Sequence, residues 1–443
     1  MSPREGSANA CGARGDGTTL CTPAIQAAID EAHAYGGTVH FEPGTYLSGA
    51  LFLKSGVTLR VDKGVRLLGS RDLADYPILP TRVAGIEMPW PAGLINVYRE
   101  RNVRIEGDGI IDGDGKIWWD AYWRLRRDYD PRGLRWAADY DCRRPRLIQI
   151  FDSANVSLSN VELRRSGFWT VHICYSENVR VADIVVRNNE GGRGPSTDGI
   201  DIDSSRNVVV ERADLACNDD AICIKAGRDW DGLRVARPTE DVVIRDCVVR
   251  DGAAGVTFGS ETSGGFRNIE VTGLHAAFPV AVGIRFKSSR TRGGTLEDIR
   301  IRDVRLQDVP TVLRIDFDWN PAYSLPTIPD GITDLPQIWR TLAEPVPRER
   351  GLPKIRDVDV RNVVAIGARL GFDVASFPEA PMRRFHFEGL RLDVREAGRI
   401  ANAEDWTFVD CEIAGLDGRA PAVSDSVRVL LPPRGDRLPG SSP

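Results

Sequence analysis

The chain has 443 residues, 42% of them hydrophobic, enough to bury a large core, and its 58 basic and 63 acidic residues leave a formal net charge of −5. That near balance argues against a nucleic-acid binder, which wants a clearly basic domain, and no apolar run approaches the roughly 18 residues that span a membrane. The opening MSPREGSANACGARGDG lacks the apolar centre of a leader, so the chain as written is expected in the cytoplasm, or in the periplasm or outside the cell if its true start lies upstream.

The first element is a helix over 22–35. Thr22 suits the N-cap and Pro23 the first turn. Ile25, Ala28, Ile29 and Ala32 form an apolar stripe, and Gly36 and Gly37 stop it. Beyond it the texture changes to short β-branched runs opened by Asn or Asp. They begin at Asn102, Asn155, Asn178, Asn207, Asp241, Asn268, Asp298 and Asp357. From 155 to 298 the starts are 23, 29, 34, 27 and 30 residues apart, a solenoid period. Each unit has room for two or three strands and none for a long helix. That excludes leucine-rich repeats and helical arrays, and the period is too short for a propeller blade. A parallel β-helix fits, with each coil stacked about 4.8 Å from the next and the helix capping the open end of the core. One such unit is expected over 1–430.

Two stretches break the rhythm, 112–146 with Trp118, Trp119, Tyr122, Trp123, Tyr129, Trp136 and Tyr140, and 316–355 with Trp319, Tyr323 and Trp339. They read as loop insertions on a binding face, their aromatics either stacking on sugar rings or packing the loops down. Residues 228–239 read as a surface insertion, and 431–443 as a disordered tail. The eight cysteines and five histidines include no CxxC and no His pair at ligand spacing, so no metal or cofactor is expected. Cys217, Cys223 and Cys247 read as buried free thiols. Cys11 and Cys21 leave a disulfide open.

The chemistry concentrates in Ser196-Thr197-Asp198 and Asn218-Asp219-Asp220, 21 residues apart from Asp198 to Asp219. One coil of spacing returns the chain to the same face one strand over, so Asp198 should land beside Asp219 and Asp220. Ser260-Glu261 and Arg285-Phe286-Lys287 continue the column over the next coils. Crowded carboxylates repel, so at least one keeps its proton near neutral pH, which supplies the acid and base that glycoside hydrolysis needs. Arg285 and Lys287, two apart on a strand, share a side and suit a sugar carboxylate. Lys225 reads equally as a site residue or a structural ion pair. Asp201 and Asp203 read as solvated surface acids.

At these residues the chain resembles glycoside hydrolase family 28, the polygalacturonase family. The family's Asn-Thr-Asp is matched by Ser196-Thr197-Asp198, its Asp-Asp by Asp219-Asp220 with Ala-Ile-Cys-Ile-Lys ending at Lys225, and its Arg-Ile-Lys by Arg285-Phe286-Lys287. GARGDGTT, GTYLSGALFLKSGVTL, RPRLIQI and FWTVHICYSENV are also similar to it. The resemblance implies an all-β, right-handed parallel β-helix and an acidic pectic oligosaccharide or polysaccharide as partner. It implies inversion, with Asp219 as general acid, Asp198 and Asp220 on the water, and Arg285 and Lys287 on the substrate carboxylate. The family often has Gly-His-Gly where this chain has Gly259-Ser260-Glu261. That departure looks like the exo-acting bacterial branch and puts endo cleavage in doubt. Ser260, Glu261 and His172 are further candidates for substrate contact, His172 alternatively as a packed strand residue. Rhamnogalacturonan or xylogalacturonan hydrolysis is the nearest alternative. A calcium-dependent pectate lyase and a non-catalytic carbohydrate-binding β-helix are the alternatives from other classes.

Overall fold

The computed structural model describes residues 5–331 and 334–432. All but the first two residues of the expected tail lie outside them. Strands mostly of three to seven residues, merging into runs of 11 to 22 in the later coils, follow one another, and they pair in parallel with their counterparts one coil on. Three parallel faces result. The site face is built by Ile148–Phe151, Val171–Cys174, Ile200–Asp203, Ile222–Lys225, Val256–Phe258, Val282–Lys287 and Thr311–Asp316. The fold is the expected right-handed parallel β-helix.

Period-2 alternation sends one set of side chains of each strand into a continuous core. Val171, Ile200, Ile222 and Val256 stack in register as one inward column. Ile173, Ile202, Ile224, Phe258 and Phe286 form another. All are essentially fully buried, and each contributes roughly 1.5–3 kcal/mol of apolar transfer free energy. Phe258 and Phe286 lie stacked with ring centroids 4.4 Å apart. Cys217, Cys223 and Cys247 are buried free thiols as expected, and Cys11 and Cys21 are unpaired.

The Asn and Asp residues that open the repeats sit at positive φ, for example Asn102 at 56°, Asn155 at 57° and Asn178 at 56°. Few other side chains tolerate that region. Their amides stack along the helix, Asn155 Nδ2 donating to Asn102 Oδ1 at 2.9 Å and Asn178 Nδ2 to Asn155 Oδ1 at 3.1 Å.

Helix α1 runs over Thr22–His33, two residues shorter than expected, and buries Ile25, Ala28, Ile29 and Ala32 against the end of the core. Thr22 is not its cap. Its Oγ1 accepts from the Gly49 N–H at 2.7 Å, inside the β-helix, and Cys21 takes the cap position without a side-chain bond. Gly36 at φ 67° turns the chain away.

The insertions are helical rather than looped. Helix α2 spans Lys116–Tyr129, α3 Ala138–Asp141 and α4 Asp229–Val235. Short helices at Pro321–Ser324 and Gln337–Leu342 serve the later one. An antiparallel hairpin that the repeat pattern does not announce, Ile78–Val83 with Ile86–Pro91, joins them. Trp90, Trp136, Tyr140, Phe168, Trp169, Trp339 and Leu342 gather into a second apolar cluster that locks these segments together. Most of the insertion aromatics therefore pack the loops down. Trp136 meets Trp339 edge-on at 5.0 Å, while Trp123 is exposed and Trp319 half-buried.

Asn178 lies exposed in the ladder. Asn178→Ala is expected to destabilise the fold by about 1 kcal/mol more than Asn178→Gly, since both lose the amide contacts but only Ala carries a Cβ into the left-handed region. Urea unfolding of the two variants measures the difference.

Candidate active site

The one-coil argument holds in detail. The Gly199 N–H donates to the Asp220 carbonyl at 3.0 Å and the Ile200 N–H to that of Ala221 at 2.9 Å, so the turn of Asp198 lies directly on the turn of Asp219 and Asp220. A Cβ at Gly199 would lie 2.4 Å from the Ala221 carbonyl oxygen; only glycine allows that approach. Carboxylate oxygens of Asp198 and Asp220 and the Cys223 sulfur all lie within 4.8 Å of one another.

The three aspartates differ in environment. Asp220 is fully buried. Burial raises its carboxyl, but Lys287 Nζ at 2.7 Å, Arg285 Nη1 at 3.6 Å and Lys225 outweigh it and hold it at about 2. Asp219 is half-buried, and burial followed by the charge of Asp220 raises it above the ordinary carboxylate value. Asp198 is buried and raised well above that value by desolvation, then by Asp201 and Asp219. The cluster thus pushes two of its carboxyls towards the protonated form and holds the third ionised.

Lys225 makes buried ion pairs beside the aspartates. Its buried Nζ lies 3.1 Å from Glu261, 3.5 Å from Asp201 and 3.6 Å from Asp198, with the Trp169 ring centroid at 4.9 Å. Ser260 and Glu261 are also buried. The Ser260 carbonyl accepts from Arg292 Nε at 3.1 Å, and Glu261 accepts from Tyr323 OH at 3.3 Å. Desolvation works against the Glu261 anion, yet Lys225, Arg292 and Lys287 keep its carboxyl far below the usual range. These two residues support the site from beneath.

His172 does not reach the groove. It is fully buried with Nε2 3.4 Å from Asp203 Oδ2, and burial and Arg146 bring it down to about 4, so it is a neutral packed imidazole at pH 7. Asp201 and Asp203 are not surface acids either, both being completely buried. They occupy outward positions of Ile200–Asp203, but the insertions cover that face. Asp203 pairs with the buried Arg82 of the hairpin at 2.9 Å. Among the described residues, two sets of three potential ligands close within 4.8 Å, His172 with Cys174 and Asp203, and Asp198 with Asp220 and Cys223. Each already holds a protein cation, Arg82 in one and Lys287 in the other, which a metal would have to displace.

Several residues that matter were not legible as site residues. Residues 228–239 are not a plain surface insertion, because Arg228 and Asp229 are buried and bonded at 3.0 Å. Arg228 also donates to Tyr140 OH at 3.0 Å and to the Tyr323 carbonyl at 2.8 Å, joining both insertions. Asp139 of α3 accepts from Ser196 Oγ at 2.9 Å, Arg135 at 2.7 Å and Arg144 at 2.9 Å. No spacing rule links 139 to 196; the only signal is the density of Arg and Asp in the insertion.

Along the outward row in register, His172, Asp201, Cys223 and Thr257 are buried. The next side chains open, Arg285 at 14% exposure, Arg314 at 38% and, past Asp373, Arg399 at 65%. Exposure along this row thus rises from the N-terminal coils towards the C-terminal ones. The Trp319 ring centroid lies 4.3 Å from Lys287 Nζ.

The profile of a family described as glycosyl hydrolases family 28 matches residues 49–333, and that of rhamnogalacturonase A/epimerase, pectate lyase-like, matches residues 7–63. A probable polygalacturonase of Vitis vinifera is 32% identical over 307 residues, 67% of this chain and 59% of that protein. An exo-poly-alpha-D-galacturonosidase of Dickeya chrysanthemi is 28% identical over 332 residues, 67% of this chain and 54% of that protein. The chain thus spans between 54 and 59% of the length of these two relatives. The crystal structure of a hyperthermoactive exopolygalacturonase from Thermotoga maritima superposes with a TM-score of 0.74 at 26% identity, covering 92% of this chain and 90% of that one.

Burial lifts the Asp201 carboxyl to about 7 against the pull of Lys225, whereas the unfolded value is about 3.9. Between those values the folded state binds more protons, so stability falls as pH rises through the window. Asp201→Asn, which stays neutral, is expected to stabilise the fold by about 1–2 kcal/mol at pH 8, with the gain vanishing towards pH 4. Thermal unfolding across pH checks the sign.

Proposed function

The chain belongs to glycosyl hydrolase family 28, and on that premise we propose that it hydrolyses α-linked galacturonate in pectic chains, taking sugars from the non-reducing end with inversion. The observation that carries this reading is the pairing, on one turn, of a carboxyl pushed towards its protonated form with one held ionised. Asp219 is raised and half-exposed, and Asp220 is held ionised by Lys287 and Arg285.

Asp219 donates its proton to the glycosidic oxygen as the bond to the leaving sugar breaks. Asp220 is too deeply buried and too firmly clamped to attack the sugar itself. Its Oδ1 faces Arg285 Nη1 at 3.6 Å but makes no hydrogen bond among the described residues, which leaves it able to accept from a water and take its proton. That water, oriented also by Asp198, attacks the anomeric carbon from the opposite face in one displacement. Arg285 and Lys287 hold the carboxylate of the sugar on the open side. The one-sided exposure of the row supports exo action. A chain end fits against the covered N-terminal side, and the rest of the substrate runs out over Arg285 and Arg314. The name of the Dickeya chrysanthemi relative, an exo-poly-alpha-D-galacturonosidase, supports this reading, while endo-polygalacturonases of Pectobacterium are equally 28% identical.

Digestion of polygalacturonate is expected to release galacturonate monomer throughout; a ladder of mixed oligomers would overturn the exo reading. An unsaturated product absorbing in the ultraviolet, with activity lost in EDTA, would assign a lyase instead. Asp219→Asn should cost roughly 10²–10⁴-fold in kcat, and if sugar binding persisted with no hydrolysis by the wild type, the carbohydrate-binding reading would stand. The rate should fall as pH rises through the Asp219 value, which deprotonates the acid, and as pH drops towards about 2, which protonates Asp220. Lys287→Met removes the nearest cation from Asp220, so its acid limb should move to higher pH; the pH dependence of kcat/KM measures this.

A further inference from the structure

We infer that Arg135 is a second carboxylate receptor, placed on the covered side of Asp219, where it reads the acid group of the terminal sugar. The inference deepens the galacturonan reading and rests on it. It begins with a charge imbalance. Asp139 is one buried carboxylate facing two guanidiniums, Arg135 at 2.7 Å and Arg144 at 2.9 Å. Arg144 is fully buried and spends its other amino group on the Pro195 carbonyl at 2.5 Å. One positive charge is left uncompensated, and Arg135, its side chain 19% exposed, carries it to the surface.

The location is fixed from two sides. Asp139 accepts from Ser196 Oγ at 2.9 Å, two residues before Asp198. The Arg135 guanidinium lies over the Tyr323 ring, 4.9 Å from its centroid, and Tyr323 OH reaches Glu261, which pairs with Lys225. The guanidinium is thus linked on one side to the turn of Asp198, through Asp139 and Ser196, and on the other to the Glu261–Lys225 pair, through Tyr323. Stacked on a ring and tied through one nitrogen, it keeps donors free in a preset fork, the geometry that suits a carboxylate.

Two cationic receptors flanking the acid fit a substrate with a uronate on each side of the cleaved bond. In a chain alternating uronate with a neutral sugar, one receptor would face no partner. The assigned class is therefore a contiguous galacturonan.

Steady-state hydrolysis of trigalacturonate tests this, alongside the same trimer methyl-esterified on its non-reducing unit. Arg135→Gln is expected to raise KM for the free trimer at least tenfold with kcat changed less than threefold. Arg135→Lys, which keeps the charge without the fork, should lose less. The loss on the esterified trimer should be at least fivefold smaller than on the free one. Equal losses on the two substrates, or a fall in kcat with KM unmoved, would overturn the assignment and leave Arg135 a structural residue. A wild type that hydrolyses only chains alternating galacturonate with a neutral sugar would overturn it too. No release of galacturonate by the wild type from either trimer would overturn the function proposed above, and this inference with it.

Discussion

Everything in this molecule depends on the parallel register between successive coils. One circuit of chain returns to the same face about 4.8 Å along the axis, and the coils are kept in step by in-register apolar columns inside and stacked amides at the turns. Residues far apart in sequence then become neighbours with little freedom to drift. The contact of Gly199 with Ala221 is the tightest expression of this, since the Asp198 turn rests on the backbone that carries Asp219 and Asp220.

Register alone gives only a row of solvated acids. The insertions convert that row into chemistry by excluding water. An exposed Asp201 or Asp203 would behave as any surface carboxylate. Under the second apolar cluster each needs a partner or a proton, because an isolated buried charge is too costly. The resolution differs by position. Asp203 and Asp229 are met by arginines and stay ionised, while Asp198 and Asp201 lean towards protonation. Proximity sets which groups meet, and cover sets which of them keep a proton.

The division between what sequence reveals and what it hides follows the same line. The capping helix, the coil period and the column from Asp198 to Lys287 are local or periodic features, so they are visible in one chain. Alternation in Ile200–Asp203 likewise tells which side chains point outward. It does not tell what lies over them. Asp201 and Asp203 read as solvated because their cover comes from the hairpin around Arg82 and from insertions up to some 140 residues away. Thr22 misleads for a related reason, its hydroxyl being claimed by Gly49 of the next coil before it can cap its own helix. Asp139 carries no pattern at all, because its link to Ser196 exists only once α3 has folded against the turn.

The charge inventory bears on the proposed function, in which an anionic sugar enters an acidic site. Asp198, Asp201, Asp219, Asp220 and Glu261 face Lys225, Lys287 and Arg285. Fully ionised, this core would carry an excess of negative charge and repel a uronate. With the raised carboxyls protonated it is near neutral or positive, and a uronate can enter. Its arrival adds a negative charge in a region shielded from water, which raises the cost of losing the Asp219 proton. In the proposed pose it would also draw on Arg285 and Lys287, loosening their hold on Asp220 and making that carboxylate more basic. Under the proposed mechanism, binding would thus push both groups towards the states it requires, the acid more firmly protonated and the base more basic, whereas a neutral sugar in the same place would leave them as they are.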